Sequence, residues 1–382
     1  MSRLRRAWIW WVFQTSRTET VETMAIFRIG VGIALVWTTL TPWLSGAVDL
    51  AWTDVAHGGY RELGATWLVT LLGGPTPGVV QGLMALSVAA GVLVTLGLGG
   101  RASALVALQS FLPLTRLNTH AGGSFEHLLT NALWLLVLCR ASATWSLDCR
   151  LRRGAWSSDD HIGSWARWLV LAQIVLVYGS TGLQKGGSAW TPLGGFSAVY
   201  FALRDPAWHR WDLPWLGWVS PLLTVSTAAV WLFETGWFLV PLLLWWRVRP
   251  DTGGRLGALV RRRDPRPLLL AFGAALHGGI FVLMEVGTFS WLTMCFYVAL
   301  WSPSELRAAM NALMARRRAR MATRASESPA AAAMSSQDRD SRMRPRMRAR
   351  SSGSRLSRTA GEAATTSRSA RAATSWVPPR ST

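Results

Sequence analysis

The stretch GSTGLQKGGSAW, residues 179 to 190, holds Lys185, the only lysine in a chain whose lysines and arginines together number 40. The two side chains differ in one chemically decisive property. A guanidinium keeps its proton in proteins, whereas an amine in apolar surroundings can lose it and act as a base or nucleophile. A position that holds lysine where arginine supplies every other positive charge is therefore a candidate for proton transfer. The competing structural reading makes Lys185 a cap on the carbonyls of a helix that Gly186 and Gly187 terminate. Two histidines accompany it, His127 in HAGGSFEHLLTN and His277 in AALHGGIFVLMEVG. Either alone reads as a hydrogen-bonded core residue, but imidazole titrates near neutrality and suits acid and base work. Glu234, in WLFETGW, has no basic neighbour in sequence. It needs a partner from another helix or a proton, and serves equally well as a bundle-locking hydrogen bond or a functional acid. Cys139, Cys149 and Cys295 form no CxxC, and HExxH is absent, so neither a metal site nor a disulfide framework is expected.

These groups sit among long apolar runs. Half the residues are hydrophobic, Trp alone numbers 24, and the mean hydropathy is +0.23. Runs of about 20 apolar residues are long enough to cross a hydrocarbon core. The reading is an all-α, polytopic integral membrane bundle with eight spans at 24–44, 79–98, 102–117, 125–140, 164–184, 219–246, 267–285 and 287–302. The third, fourth and eighth are short for a full crossing. Cytoplasmic loops should carry the arginines, and the loops alternate accordingly. Arg3, Arg5, Arg6 and Arg17 precede the first span, Arg140, Arg150, Arg152 and Arg153 follow the fourth, and Arg247 to Arg266 supply seven more after the sixth. Between the first and second spans only Arg61 appears, against Asp49, Asp54 and Glu62. Both termini are thereby expected in the cytoplasm, in a multi-pass protein of the cell (inner) membrane. His127, Lys185 and His277 then fall in the outer half of the membrane, a depth at which ionisable groups are default functional candidates. Arg28, one turn into the first span, is expected to snorkel to the headgroups or pair with Glu22.

The flanks read differently. Residues 1–23 form an interfacial, Trp-rich anchor rather than a signal peptide. The transmembrane domain covers 24–302. Ser302, Pro303 and Glu305 predict a capping box opening a basic amphipathic surface helix over 303–322. Residues 323–382, rich in Ser, Ala, Thr and Arg, are expected to be disordered. The formal charge of +20 suggests nucleic acid, yet aromatic side chains are not interleaved with the tail's arginines for base stacking, so the lipid bilayer is the expected partner and no specific nucleic acid is. Trp208, Trp211, Trp215 and Trp218 recur every three or four residues, which predicts an interfacial aromatic belt that also roofs a pocket.

The segments ETMAIFRIGVGIAL, HLLTNALWLLVL followed by WSLD, YGSTGLQKGGSAW and HGGIFVLMEVGTFSW occur in an order and spacing that resembles the horizontally transferred transmembrane domain family, related to vitamin K-dependent gamma-carboxylase. The resemblance covers roughly residues 18–302. It implies a helical membrane domain with a pocket open to the extracytoplasmic side. It also implies that Lys185 matches the base that deprotonates vitamin K hydroquinone, after which oxygen turns the quinol into a stronger base for carboxylating a glutamate. His127 resembles the family's pocket histidine and His277 falls on a second one. The carboxylase's paired lysines become Gln184 and Lys185 here, and its lumenal domain is replaced by the basic segment after the last span. The expected function is an outward-facing quinone- or lipid-sized pocket in a quinol-linked, carboxylase-like enzyme. Lys185, His127 and His277 are the expected catalytic residues, and Trp190, Trp211 and Trp215 the residues against the quinone or hydroquinone. The alternative is a non-enzymatic membrane component of export, envelope maintenance or peptide immunity.

Overall fold

The computed structural model describes residues 3–249 and 252–326; the tail expected to be disordered lies outside them from residue 327 onward. Each expected apolar segment is helical. After α1 (Arg3–Ser16) come α2 (Glu22–Leu44), α3 (Pro77–Leu96), α4 (Gly100–Leu117), α5 (Phe125–Leu138), the short α6 (Leu147–Arg153) and α7 (Trp165–Gln184). Further along come α8 (Ser220–Gly236), α9 (Val240–Val248), α10 (Arg266–Leu283), α11 (Phe289–Phe296) and α12 (Pro303–Ser326), while the short helices Val48–Trp52, Trp67–Leu71, Ala198–Arg204 and Gly254–Arg262 lie in the connections. Among the described residues five stretches are long and apolar enough to cross a membrane: α2, α3, α7, the continuous Ser220–Val248 and α10. The chain is an all-α, multi-pass membrane protein. Its shorter apolar helices, α5 and Phe289–Leu300, coincide with the fourth and eighth expected spans.

Local chemistry sets the helix ends. Thr76 caps α3 by accepting the Val79 N–H at 3.4 Å, and Gly97 closes it in the left-handed conformation at φ 69°. The reciprocal capping box opens α12 as expected: the Ser302 N–H donates to Glu305 Oε2 at 2.9 Å, and the Glu305 N–H to Ser302 Oγ at 3.4 Å. That helix runs on to Ser326. Residues up to Ala312 form one compact unit, and the described part of the remainder is the continuation of α12.

Small residues set the distance between helices. A Cβ on Gly32 of α2 would lie 2.7 Å from the Thr95 backbone nitrogen, and one on Gly91 of α3 would lie 2.8 Å from Val36 Cγ2. Close backbone approach of this kind is how membrane helices gain contact without a hydrophobic driving force. Ser87 donates to Ser110 at 2.9 Å across the α3–α4 contact. The core gathers Phe27, Val31 and Leu35 of α2, Leu129 and Leu133 of α5, Leu171 and Ile174 of α7, and Phe296 of α11. α1 joins it through Trp10, buried against Trp168 and Trp245 at ring distances of 5.5 and 4.8 Å. A two-stranded antiparallel ribbon, β1 (Thr18–Thr20) with β2 (His161–Gly163), ties the start of α2 to the start of α7 in the register Glu19↔Ile162.

Arg28 corrects the expectation of a snorkelling side chain. It is buried, and its guanidinium donates to the carbonyls of Val94 at 2.8 Å, Thr95 at 3.1 Å and Trp145 at 2.7 Å. The last carbonyls of a helix lack intrahelical donors, and Arg28 supplies them to α3. Glu22 meets Arg307 instead, whose Nε lies 2.6 Å from Oε1. At this arginine-rich end Arg266 binds Asp264 and Glu305, each with one contact of 2.7 Å, and Arg247 reaches Glu305 at 2.7 Å. Burial alone would raise the Glu305 carboxyl, but hydrogen bonds from Arg266, Arg247 and the Ser302 N–H overcome it and hold the group well below the ordinary carboxylate range.

Candidate functional site

The lysine stands at the carboxyl end of α7. Its backbone ends the helix, its N–H donating to Thr181 O at 3.2 Å, and Gly186 and Gly187 follow in non-helical conformation. The side chain does not turn back onto the helix carbonyls. Lys185 Nζ forms an ion pair with Glu234 Oε2 across the α7–α8 contact, and the ammonium lies 4.8 Å from the centre of the Trp190 ring. The lysine side chain is 20 % exposed and the glutamate side chain 10 %. Thr181 Oγ1 stands 3.1 Å from the same carboxylate oxygen, so Glu234 has found the partner its sequence context lacked.

Glycine makes this pairing geometrically possible. A Cβ on Gly182 would lie 2.5 Å from the Thr235 backbone nitrogen and 2.8 Å from the Glu234 carbonyl carbon. A Cβ on Gly179 would strike the Phe238 ring at 2.4 Å. One face of α7 is thus cleared for α8 to approach at backbone distance. On the facing helix the α-helical run stops at Gly236, two residues beyond Glu234, and passes through a 3-10 turn over Trp237–Leu239 before α9. Such mid-span turns often mark functional hinges.

Two turns back along α7, Tyr178 carries a second polar cluster. Its hydroxyl is hydrogen-bonded to His277 Nε2 of α10 and accepts from the Tyr297 hydroxyl at 2.9 Å. Trp237 stacks on its ring at 4.8 Å and 20°. A Cβ on Gly273, one turn before His277, would fall 2.2 Å from the Tyr297 hydroxyl, so this glycine too clears a polar contact. Tyr178, His277 and Tyr297 are buried. His277 Nδ1, Thr235 Oγ1 and Trp237 Nε1 are buried atoms without a hydrogen-bond partner. Tyr178, Thr181 and Lys185 stand at i, i+3 and i+7 and share one helix face, so one strip of α7 serves both clusters.

The expected site residues are therefore distributed. Lys185 links the end of α7 to Glu234 of α8, and His277 of α10 is joined to α7 through Tyr178. Trp190 lies against Lys185. His127 is exposed near the start of α5, and its side chain has no hydrogen bond or ion pair among the described residues. Trp211 donates its indole N–H to Val282 O at 2.7 Å, and beside it Arg210 donates to Phe281 O at 2.6 Å and pairs with Glu285 at 2.8 Å. The segment that carries the belt tryptophans is thus pinned to the carboxyl end of α10. Trp215 sits on a 3-10 turn over Pro214–Gly217 and is about half exposed. Tyr178, Thr181 and Tyr297 were not among the expected residues. Tyr178 and Thr181 were detectable as polar residues in register with Lys185; Tyr297, in the short apolar segment after Phe296, carried no such signal.

None of the curated proteins and none of the solved structures matches the chain. The HTTM domain matches residues 16–252, which takes in Lys185, Trp190 and Glu234 and stops before His277 and Tyr297. That domain also occurs in vitamin K-dependent gamma-carboxylase. With more than half of its length matched, the chain belongs to the HTTM domain family.

Proposed function

We propose that the chain is an enzyme of the cell membrane that removes a proton from the hydroxyl of a quinol-class ligand, with Lys185 as the base and Glu234 as its proton partner. The observation that carries this reading is the placement of the chain's single lysine on a largely buried carboxylate, beside an indole face, where Gly182 lets the two helices meet at backbone distance. An ammonium–carboxylate pair holds one exchangeable proton. When that proton sits on Glu234, the Lys185 amine has a free lone pair and takes a second proton from a hydroxyl; the pair then holds two and releases one to water. A quinol, when bound, supplies an acidic hydroxyl and a reducing aromatic ring. The donor set suits such a group: the Trp190 face for ring contact, the Lys185–Glu234 pair for a hydroxyl, and the unpartnered His277 Nδ1 for a polar atom. Trp211 and Trp215 belong to the segment proposed to roof the ligand, and His127 is proposed to act only from the rim.

The non-enzymatic reading, a component of export, envelope maintenance or peptide immunity, draws on the same buried hydrogen bonds, since Tyr178, His277 and Tyr297 also lock α7, α10 and the end of α11 together. One experiment separates them. Detergent-purified protein is extracted and its lipids and quinones identified by mass spectrometry, for the wild type and for Lys185→Arg. The enzyme reading expects a co-purifying quinone in both, and quinol-dependent turnover in the wild type only. A folded wild type that carries no quinone, or a Lys185→Arg variant with full turnover, overturns it.

A further inference from the structure

A cavity of about 350 Å³ opens at the arginine-rich end of the bundle, away from Lys185, with walls from the α3–α4 turn, the segment after α5, and α6. Arg101, Arg140 and Arg152 line it against a single carboxylate, Asp148. That carboxylate is already engaged, since Asp148 Oδ1 accepts the Gly99 N–H at 3.1 Å. Four other arginines at this end have acidic partners: Arg266 and Arg247 have Asp264 and Glu305, Arg307 has Glu22 and Asp159, and Arg153 has Asp160. The three around the cavity form no ion pair among the described residues. Only Arg152 has an internal acceptor, the Asp148 carbonyl at 3.1 Å.

Three exposed guanidiniums around one pocket are screened by water, an anion between them adds charge-assisted hydrogen bonds, and their planar forks match phosphate oxygens. The pocket is also kept open by backbone choice. Gly100 sits at φ 54°, and a Cβ there would press on Ser142 Oγ at 3.2 Å and Asp148 Oδ2 at 3.4 Å. Apolar surface lies immediately below the charges. Leu105, one turn along α4 from Arg101, is 43 % exposed, and Leu138, two residues before Arg140, is 55 % exposed. We infer that this cavity is a binding site for a phosphate group, seated among Arg101, Arg140 and Arg152, and that the adjacent Leu105 and Leu138 surface makes an anionic phospholipid its source.

The test uses the full-length protein in a neutral detergent and isothermal calorimetry with three probes: dioctanoyl phosphatidic acid, dioctanoyl phosphatidylcholine and inorganic phosphate. Saturable binding of phosphatidic acid is expected, at least tenfold tighter than phosphatidylcholine, and at least tenfold weaker in Arg101→Gln/Arg140→Gln. Arg150→Gln, an exposed arginine of α6 outside the cavity lining, should bind as the wild type does. If the double variant does not fold, Arg140→Gln alone is expected to lose about threefold. Inorganic phosphate binding as tightly as the lipid, with the same arginine dependence, supports the phosphate site and assigns its source to the free ion. Unchanged phosphatidic acid affinity in the folded arginine variants, or equal affinity for phosphatidylcholine, overturns the proposal.

Discussion

Lys185 and Glu234 are the pair whose removal should be felt most, and a double-mutant cycle measures how much of their energy is shared. Lys185→Met keeps most of the length of the side chain and removes the charge. It leaves the Glu234 carboxylate, 10 % exposed, with Thr181 as its remaining hydrogen-bond partner. Breaking one side of a fully buried ion pair costs about 3–5 kcal/mol. The 20 % exposure of the lysine lets water replace part of its role, and the Thr181 hydroxyl still serves the carboxylate, so a loss of about 2–3 kcal/mol is expected. Glu234→Gln retains an acceptor for both Thr181 and the ammonium and should cost about 1–2 kcal/mol. In the double variant the surviving amide is neutral and no uncompensated charge remains. Its loss should be close to that of Lys185→Met alone, giving a coupling energy of about 1–2 kcal/mol. Unfolding by sodium dodecyl sulfate in mixed micelles, followed by tryptophan fluorescence, gives the four free energies. Single losses that add to within about 0.5 kcal/mol would show that the two groups do not interact, and the reasoning built on their pairing would fall with that result.

Gly182→Ala should destabilise the bundle by about 1–3 kcal/mol, because its Cβ meets backbone at 2.5 Å rather than a side chain that can rotate away; an unchanged unfolding midpoint in the same assay would refute the close α7–α8 approach. The Glu305 carboxyl is held below its unfolded value, so its contribution to stability is present at neutral pH and is lost as pH falls below about 4.3. Glu305→Gln should therefore lower stability at pH 7 and flatten the acid limb of a stability profile measured by thermal unfolding between pH 7 and 3; a parallel downward shift would contradict this. Single cysteines placed at Arg153 and Arg263 should react with impermeant maleimide only after the cytoplasmic face is opened, and those at Glu62 and Trp208 in intact cells; labelling of Arg153 and Trp208 positions from the same side would reject the eight-span arrangement.

The helices were legible because two independent signals agreed. Apolar runs marked the segments, and the arginine clusters after the fourth and sixth of them set the alternation. The ribbon between Thr18–Thr20 and His161–Gly163 was not legible, since three residues a side show no period and the partners lie some 140 residues apart in the chain. Arg28 was misread for a related reason. Its place near a helix end suggested the headgroups, whereas the carbonyls it serves belong to α3 and to Trp145, which sequence order does not bring near. His127 shows the limit of a motif read without its helical phase. Within FEHLL the buried positions are Leu128 and Leu129, and the preceding residue is turned to the exposed side.

Glu234 was read as needing a partner or a proton, and its pairing alters what the lone lysine means. Had position 185 served only to place positive charge on a carboxylate, arginine would do so more firmly, with a bidentate fork and a proton it does not release. An amine makes a poorer permanent clamp and a better exchange partner, because it can hand its proton to the carboxylate it faces. The surroundings on α7 fit the second use. Gly182 brings α8 to backbone distance, Thr181 steadies the carboxylate oxygen that faces the amine, and the Trp190 face holds the ammonium without offering a competing base. A cap or an anchor requires none of these three conditions, and their convergence on the only lysine is why proton transfer is the stronger reading of this end of α7.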